Sequence, residues 1–471
     1  MQLSGGFLLL LLASGVLPAV AMAQKPAAID QKIDAFVLDQ IASQHLAGVS
    51  VAVVKDNKLV FAKGYGKANL EVNTPATKET MYEIGSITKQ FTATGVMMLV
   101  EEGKIGLDDP VSKYYKFAPD TWAKVTIRHL LNQTSGIKDY TEIDDFVKMA
   151  REQHSADELM HSITAVPLNF QPGEKWVYCN TNYYLLGLIV ESITGKPLEE
   201  FLHGRIFGPV GMNVTCTTDP KAIIPNRASG YGWNSTKFRN YDALNPTAAG
   251  GAGFIESNVL DMANWAVALE SGKLLKPESY KQIWTAGKLN DGKSHPYGFG
   301  WVIDTYRGRK HIWHNGGTAA HRSMISRFPE DRLTVIVLCN TENGQPEPIA
   351  KQIATFYSPA LAAYKETAIP DKDPKTTVRL KTLLQKMIDA TAEPELFNAR
   401  MRKVLFPDVL KQLSAQVNKL GPINEFGLVK FTTKDSSRSY EYRVVLGATK
   451  FHGFFTIDGD DKIAGVGLKP E

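Results

Sequence analysis

Apolar residues recur along this chain in two rhythms, and the alternation between them outlines the fold. After Gln24, Ile33, Phe36, Val37, Leu38 and Ile41 fall on roughly one face of a 3.6-residue repeat, which predicts an amphipathic helix. VSVAVVKDNKLVFAKGYG, residues 49–66, then reads as two strands around an Asp56-Asn57 turn. In YEIGSITKQFTATG, residues 82–95, the helical period returns: Ile87, Phe91, Met98 and Leu99 share a face, and Gly103 supplies a stop. A stretch rich in helical signals and loops runs on to residue 245, and AAGGAGFIESNVLDMANWAVAL (248–269) reads as a glycine-rich turn leading into a helix. YGFGWVID (297–304), HIWHNGG (311–317) and LTVIVLCN (333–340) read as strands. The order sheet, helical insert, sheet predicts one folding unit that encloses another.

Both ends of the chain depart from this pattern. Residues 7–23, FLLLLLASGVLPAVAMA, form a short apolar run ending in Ala21-Met22-Ala23, which predicts a signal peptide over 1–23 with cleavage before Gln24. Its opening MQLSGG carries no Lys or Arg, so an uncleaved anchor is the alternative. Near the other end, KETAIPDKDPKT (365–376) has two prolines and no periodicity, and predicts a linker between a main domain over 24–364 and a module over 377–471. In that module TVRLKTLLQKMIDA suggests a helix, and YEYRVVLG and FHGFFTIDGDDKIAGVGL suggest antiparallel strands turning at Asp458-Gly459, a small α+β unit.

Composition narrows the function classes. A net charge of +4 with both signs interspersed argues against nucleic acid and anionic membrane as partners. Cys179, Cys216 and Cys339 lack zinc-ligand spacing, and their odd number leaves at least one unpaired in a monomer. No second apolar run follows the first, so no stable membrane span is expected after signal cleavage, and the expected location is periplasmic or secreted.

The chemistry concentrates at Ser86 and Lys89. One helical turn apart at the start of a helix, they share a face where free backbone N–H groups and the positive dipole end suit a developing oxyanion. A second Ser-x-x-Lys, Ser135 and Lys138 in NQTSGIKDY, follows the helix TIRHLLNQ instead of opening one, and Ser135 is read as loop structure. Tyr178-Cys179-Asn180 is the only Tyr-x-Asn in the chain and His314-Asn315-Gly316 the only His-x-Gly. There is no Gly-x-Ser-x-Gly elbow, no phosphate loop and no His-Glu-x-x-His, and His311, His314 and His321 do not share a strand face as a metal cluster would.

Together the three motifs resemble the serine β-lactamase and penicillin-binding-protein superfamily, specifically its class C β-lactamase-like branch with D-peptidases and esterases. The likeness covers about residues 30–350, through VSVAVVKDNKLVFAKGYGKA, YEIGSITKQFT, HLLNQTSGI, FQPGEKWVYCNTNYYLLG, PVGMNVT and GGAGFIESNVLDMANW. The resemblance implies an α/β fold (an α+β sandwich), with an antiparallel sheet flanked by helices beside an all-helical subdomain, the C-terminal α+β module being an addition. It implies Ser86 as nucleophile, with Lys89 and Tyr178 sharing proton transfer. Either Lys89 is neutral and acts as base, or it stays charged and lowers the pKa of Tyr178. Asn180, His314, Asn315 and Gly316 would contact substrate, and the N–H groups of Ser86 and Gly317 would form the oxyanion hole. No cofactor or metal is implied, and the partner is a small-molecule or peptide substrate.

His314 stands where β-lactamases usually carry lysine. A side chain titrating near pH 6.5 in place of a permanent cation favours a D-Ala-D-Ala carboxypeptidase, a D-aminopeptidase-like enzyme or a carboxylesterase over an efficient β-lactamase. Arg322 is the candidate substitute cation, against a plain surface role; Asn315 replaces a common threonine, and Cys179 is read as packing. A class C-like β-lactamase and a non-catalytic penicillin-binding-type protein are the rival readings.

Overall fold

The computed structural model describes residues 26–143, 155–219, 221–241, 246–363, 368–434 and 436–470. The expected signal peptide lies outside them. The chain divides into two compact units, Met1–Ala362 and Ala363–Glu471.

In the first unit helix α1 (Pro26–Gln44) precedes strands β1 (Gly48–Lys55), β2 (Lys58–Asn69) and the short β3 (Thr74–Pro75). The chain returns to the same sheet much later with β4 (Val302–Tyr306), β5 (Arg309–Gly317), β6 (Arg322–Phe328) and β7 (Leu333–Cys339). The seven strands lie in the order β4-β5-β6-β7-β1-β2-β3, antiparallel throughout. Asp56 and Asn57 both take positive φ, 50° and 62°, which gives the β1–β2 turn the twist a two-residue hairpin needs.

Both faces of the sheet are covered, which explains the unbroken apolar run of β1. Val49, Val51 and Val53 pack with Ile33 and Val37 of α1 and with Ile349 and Ile353 of a late helix, α5 (Pro346–Tyr357). Ala52 and Val54 point the other way, into a larger core shared with the helical segments. That second layer holds α2 (Thr88–Glu101), α3 (Asn180–Thr194) and α4 (Val259–Ser271), locked by Phe91, Tyr183, Trp265 and Leu186. The result is an antiparallel sheet flanked by helices, beside a helical subdomain inserted between β3 and β4.

Two differences from the sequence expectation have physical causes. The strand expected over 297–304 begins only at Val302. Gly300 sits at φ +78°, and a Cβ there would stand 2.8 Å from the Lys89 carbonyl oxygen, so the chain turns against α2 before it can pair. Strand β6, RSMISRF, is missing from the sequence reading because its polar residues are buried and partnered. Ser323 Oγ donates to the Ile84 carbonyl (2.8 Å), Ser326 Oγ meets His311 Nε2 (2.7 Å), and the Arg327 guanidinium lies 4.5 Å from the Trp284 ring.

The second unit is α+β. Helices α6 (Pro374–Ile388), α7 (Ala399–Leu405) and α8 (Val409–Val417) accompany an antiparallel sheet of β8 (Ile423–Lys434), β9 (Ser437–Leu446), β10 (Thr449–Ile457) and β11 (Ile463–Pro470), in that order. Leu380, Leu384, Phe397, Tyr442, Val444 and Phe455 form its core. Helix α6 opens at Pro374, inside the segment expected as linker, and Asp373 caps it by accepting from Thr376 N–H at 3.2 Å.

Gly300→Ala tests the close passage of the chain against α2. Strain at positive φ and the contact with Lys89 together are expected to cost about 2 kcal/mol or more, read from denaturant midpoints against the parent.

Candidate active site

Ser86 lies in a single 3-10 turn, Gly85–Ile87, that runs directly into α2. Gly85 precedes it at φ +51°, and a Cβ there would come within 2.7 Å of the Gly317 nitrogen. Only glycine lets the two segments approach so closely, and this approach brings the end of β5 beside Ser86. Gly316 is held just as tightly, since its Cβ would meet the Ile84 carbonyl oxygen at 1.9 Å. The turn after Gly317 is closed by Thr318 N–H donating to the His321 carbonyl (3.1 Å), and His321 Nδ1 stands 3.4 Å from Glu83 Oε2. Both chain segments expected to carry the oxyanion donors are therefore tied to each other.

Lys89, one turn after Ser86, is fully buried. Its ammonium nitrogen reaches three acceptors: Ser86 Oγ at 3.0 Å, Asn180 Oδ1 at 2.8 Å and the Ala252 carbonyl at 2.8 Å. It also lies 4.8 Å from the centre of the Tyr178 ring and 5.8 Å from that of Tyr183. Burial among these aromatic rings disfavours the charge and lowers the lysine pKa to about 7, with the Asp139 carboxylate opposing the shift. Asn180 Oδ1 and the Ala252 carbonyl can only accept. A neutral Lys89 therefore gives its two N–H bonds to them, and its lone pair is left facing Ser86 Oγ.

Tyr178 contributes differently. Its hydroxyl is buried beside Ser86. Burial raises its pKa well above the ordinary phenol value, and the neighbouring Ser86 offsets only part of this. Of the two bases left open by the sequence, burial makes a neutral Lys89 easier to reach than an ionised Tyr178.

His314 is placed at the site but not as a titrating cation. It is 2 % exposed, its Nδ1 lies 2.5 Å from the Asn315 carbonyl and its Nε2 2.9 Å from the Tyr297 hydroxyl. The carbonyl can only accept, so Nδ1 carries the proton and Nε2 accepts from Tyr297. Burial first, and the Lys89 charge second, push its pKa down to about 3. The expectation of a side chain titrating near pH 6.5 is thus corrected: desolvation keeps the ring neutral. Asn315 is exposed, and Arg322 donates to the carbonyls of Thr318 and His321, at 2.5 and 2.8 Å.

Ser135 is buried and committed elsewhere. Its Oγ donates to Asn182 Oδ1 (2.6 Å) and accepts from Ile137 N–H (3.1 Å), while Lys138 pairs with Glu142 at 2.9 Å. Cys179 is buried, with Sγ 3.4 Å from the Ile137 carbonyl, and all three cysteines are free. His311 bonds Asp304 (2.9 Å) and Ser326 on the opposite face of β5 from His314.

Two participants escaped the sequence reading. Ala252 supplies an acceptor to Lys89; its only advance signal was the glycine run around it, which lets the backbone come in under α2 and α3. Asp139 binds Asn180 through both the backbone N–H (2.9 Å) and Nδ2 (3.1 Å), and nothing in its local sequence sets it apart from a surface turn.

Comparison with known proteins gives the family. Residues 29–356 match the Beta-lactamase family. The chain belongs to the beta-lactamase family. It is 30% identical over 325 residues to penicillin-binding protein 4* of Bacillus subtilis (strain 168), covering 65% of this chain and 71% of that one. It is 26% identical over 385 residues to a D-aminopeptidase of Gluconobacter oxydans (strain 621H), covering 80% and 70% respectively. Among solved structures, a D-stereospecific amidohydrolase from Streptomyces sp. aligns with TM-score 0.58 and 25% identity over 69% of this chain and 97% of that one. A penicillin-binding protein homologue from Pyrococcus abyssi shares the fold with TM-score 0.61 and 24% identity over 94% of this chain and 98% of its own. This beta-lactamase family member is a serine hydrolase.

Ser86→Ala is expected to abolish covalent labelling by a fluorophosphonate or labelled β-lactam, mapped by peptide mass. Ser135→Ala keeps the label on Ser86 and instead loses about 1–2 kcal/mol of stability, because Asn182 Oδ1 is left without a donor. Loss of labelling in a folded Ser135→Ala protein would contradict the assignment.

Proposed function

We propose that this beta-lactamase family hydrolase is a D-stereospecific peptidase or amidase, with activity on small carboxylic esters, acting through an acyl-enzyme on Ser86. The observation that carries the reading is the convergence of Ser86 Oγ, Asn180 Oδ1 and the Ala252 carbonyl on one desolvated lysine. Neutral Lys89 takes the Ser86 proton as Oγ attacks the substrate carbonyl, and the N–H groups of Ser86 and Gly317 receive the oxyanion. As the carbonyl carbon–leaving group bond breaks, the proton passes from Lys89 through the Tyr178 hydroxyl to the leaving nitrogen or oxygen. Water then attacks the ester on Ser86 by the reverse proton path, releasing the acid and the free serine.

The surroundings of the site support the substrate class. β4 pairs with β5 only as far as Trp313, so His314–Gly317 offers a strand edge along which an extended acyl group can lie. A neutral His314 offers no fixed positive charge to a substrate carboxylate at this edge. Amides and esters with uncharged flanks therefore suit it better than carboxylate-terminated peptides. The D-aminopeptidase relative supports the D preference. The apolar run at residues 7–23 supports export, with action in the periplasm or outside the cell.

A rate panel tests the reading. D-amino-acid amides and nitrophenyl esters are expected to exceed a chromogenic cephalosporin and D-Ala-D-Ala peptides by about tenfold or more in kcat/KM. The acid limb of the profile should fall near the Lys89 pKa of about 7, because below it the lysine is protonated and cannot accept the Ser86 proton. Faster turnover of the cephalosporin, or of L- over D-amides, would overturn the proposal.

A further inference from the structure

We infer that Asp139 is a positioning residue for the reaction: it fixes which face Asn180 presents to Lys89, and so governs where Lys89 becomes able to deprotonate Ser86. The inference rests on the acyl-enzyme reading above and adds a control that none of the three sequence motifs contains.

Asp139 is 7 % exposed, and its carboxylate accepts hydrogen bonds from Asn180 and Thr141. Oδ2 accepts from Asn180 N–H at 2.9 Å and from Asn180 Nδ2 at 3.1 Å; Oδ1 accepts from Thr141 N–H and Thr141 Oγ1, both at 2.9 Å. A carboxylate has nothing to donate, so the amide nitrogen of Asn180 must turn towards Asp139 and its oxygen towards Lys89. Reversed, the amide would set N–H against the lysine N–H, and the lone pair of neutral Lys89 would be drawn away from Ser86. The same carboxylate acts through its charge. The groups around Lys89 are the rings of Tyr178 and Tyr183, the hydroxyl of Ser86, neutral His314, the buried Cys179 thiol and Asp139. Asp139 is the one carboxylate among them, and it opposes the desolvation that drives Lys89 neutral. A base pushed too far down becomes a poor proton acceptor, so an anion held one residue behind the amide keeps Lys89 useful near neutral pH.

Two substitutions separate the two effects. Asn at position 139 keeps one oxygen. Its amide nitrogen is better accommodated on the Thr141 side, where the hydroxyl can rotate to accept although the Thr141 N–H loses its acceptor, whereas on the Asn180 side it would face two donors; the Asn180 orientation therefore survives while the charge is lost. Asp139→Asn is therefore expected to move the acid limb of kcat/KM to lower pH by about half a unit or more, with a plateau within about tenfold of the parent. Asp139→Ala frees the Asn180 amide, and its plateau should fall about ten- to a hundredfold. In an Asn180→Ala background the same change should cost little more, since the amide it orients is gone. All rates are normalised to the fraction of Ser86 labelled by fluorophosphonate, so a merely structural Asp139 would reduce that fraction and leave the normalised pH limb in place. An unmoved or upward-shifted limb in Asp139→Asn, with Ser86 labelled, overturns this inference alone. Failure of the parent protein to label at Ser86 would overturn the acyl-enzyme reading instead.

Discussion

A lysine buried away from solvent is the constraint on which the rest of this active site depends. Lys89 is fully buried against two tyrosine rings, and its nitrogen is surrounded by three acceptors. Desolvation of the ammonium would be prohibitive without partners, and with too good a partner the proton would never leave. The site answers with neutral acceptors close by and the nearest carboxylate one residue removed, behind Asn180. Glycines at 85, 300 and 316 serve the same end, because each lets a backbone segment close in where a Cβ would hold it away.

Neutrality is also the theme of the opposite wall. His314, Tyr297 and Tyr178 form a run of ring contacts, with centroids 5.7 to 6.0 Å apart, and no charge develops there at neutral pH. Low polarity strengthens the hydrogen bonds that an oxyanion would make and keeps Tyr178 in its protonated form. The same burial that lowers the Lys89 pKa thus also keeps position 314 free of charge.

Much of this was legible along the chain because the responsible residues act locally. The hairpin at Asp56-Asn57, the helix following Ser86 and the distinction between Ser86 and Ser135 all follow from turn chemistry and position relative to a helix start. What stayed hidden depends on burial. Strand β6 looks polar until Ser323, Ser326 and Arg327 are seen to be partnered inside the protein. His314 reads as a titratable group because one sequence cannot show that Tyr297 and the Asn315 carbonyl occupy both of its nitrogens. Asp139 and Ala252 enter through contacts 41 and 163 residues away in the chain, a separation that leaves no periodic trace. In the second unit, β8 and the two short helices before it carry weak patterns and become evident only against the core of Tyr442 and Phe455.

The central claim is that burial makes Lys89 a base at neutral pH. Direct titration of its side chain, by the carbon-13 shift of the ε-carbon in lysine-labelled protein with the Lys89→Arg variant to assign the signal, tests it without any substrate. A midpoint near 7 is the result this account predicts. A midpoint at about 10, the value of a solvated lysine, would contradict it and return the role of base to Tyr178.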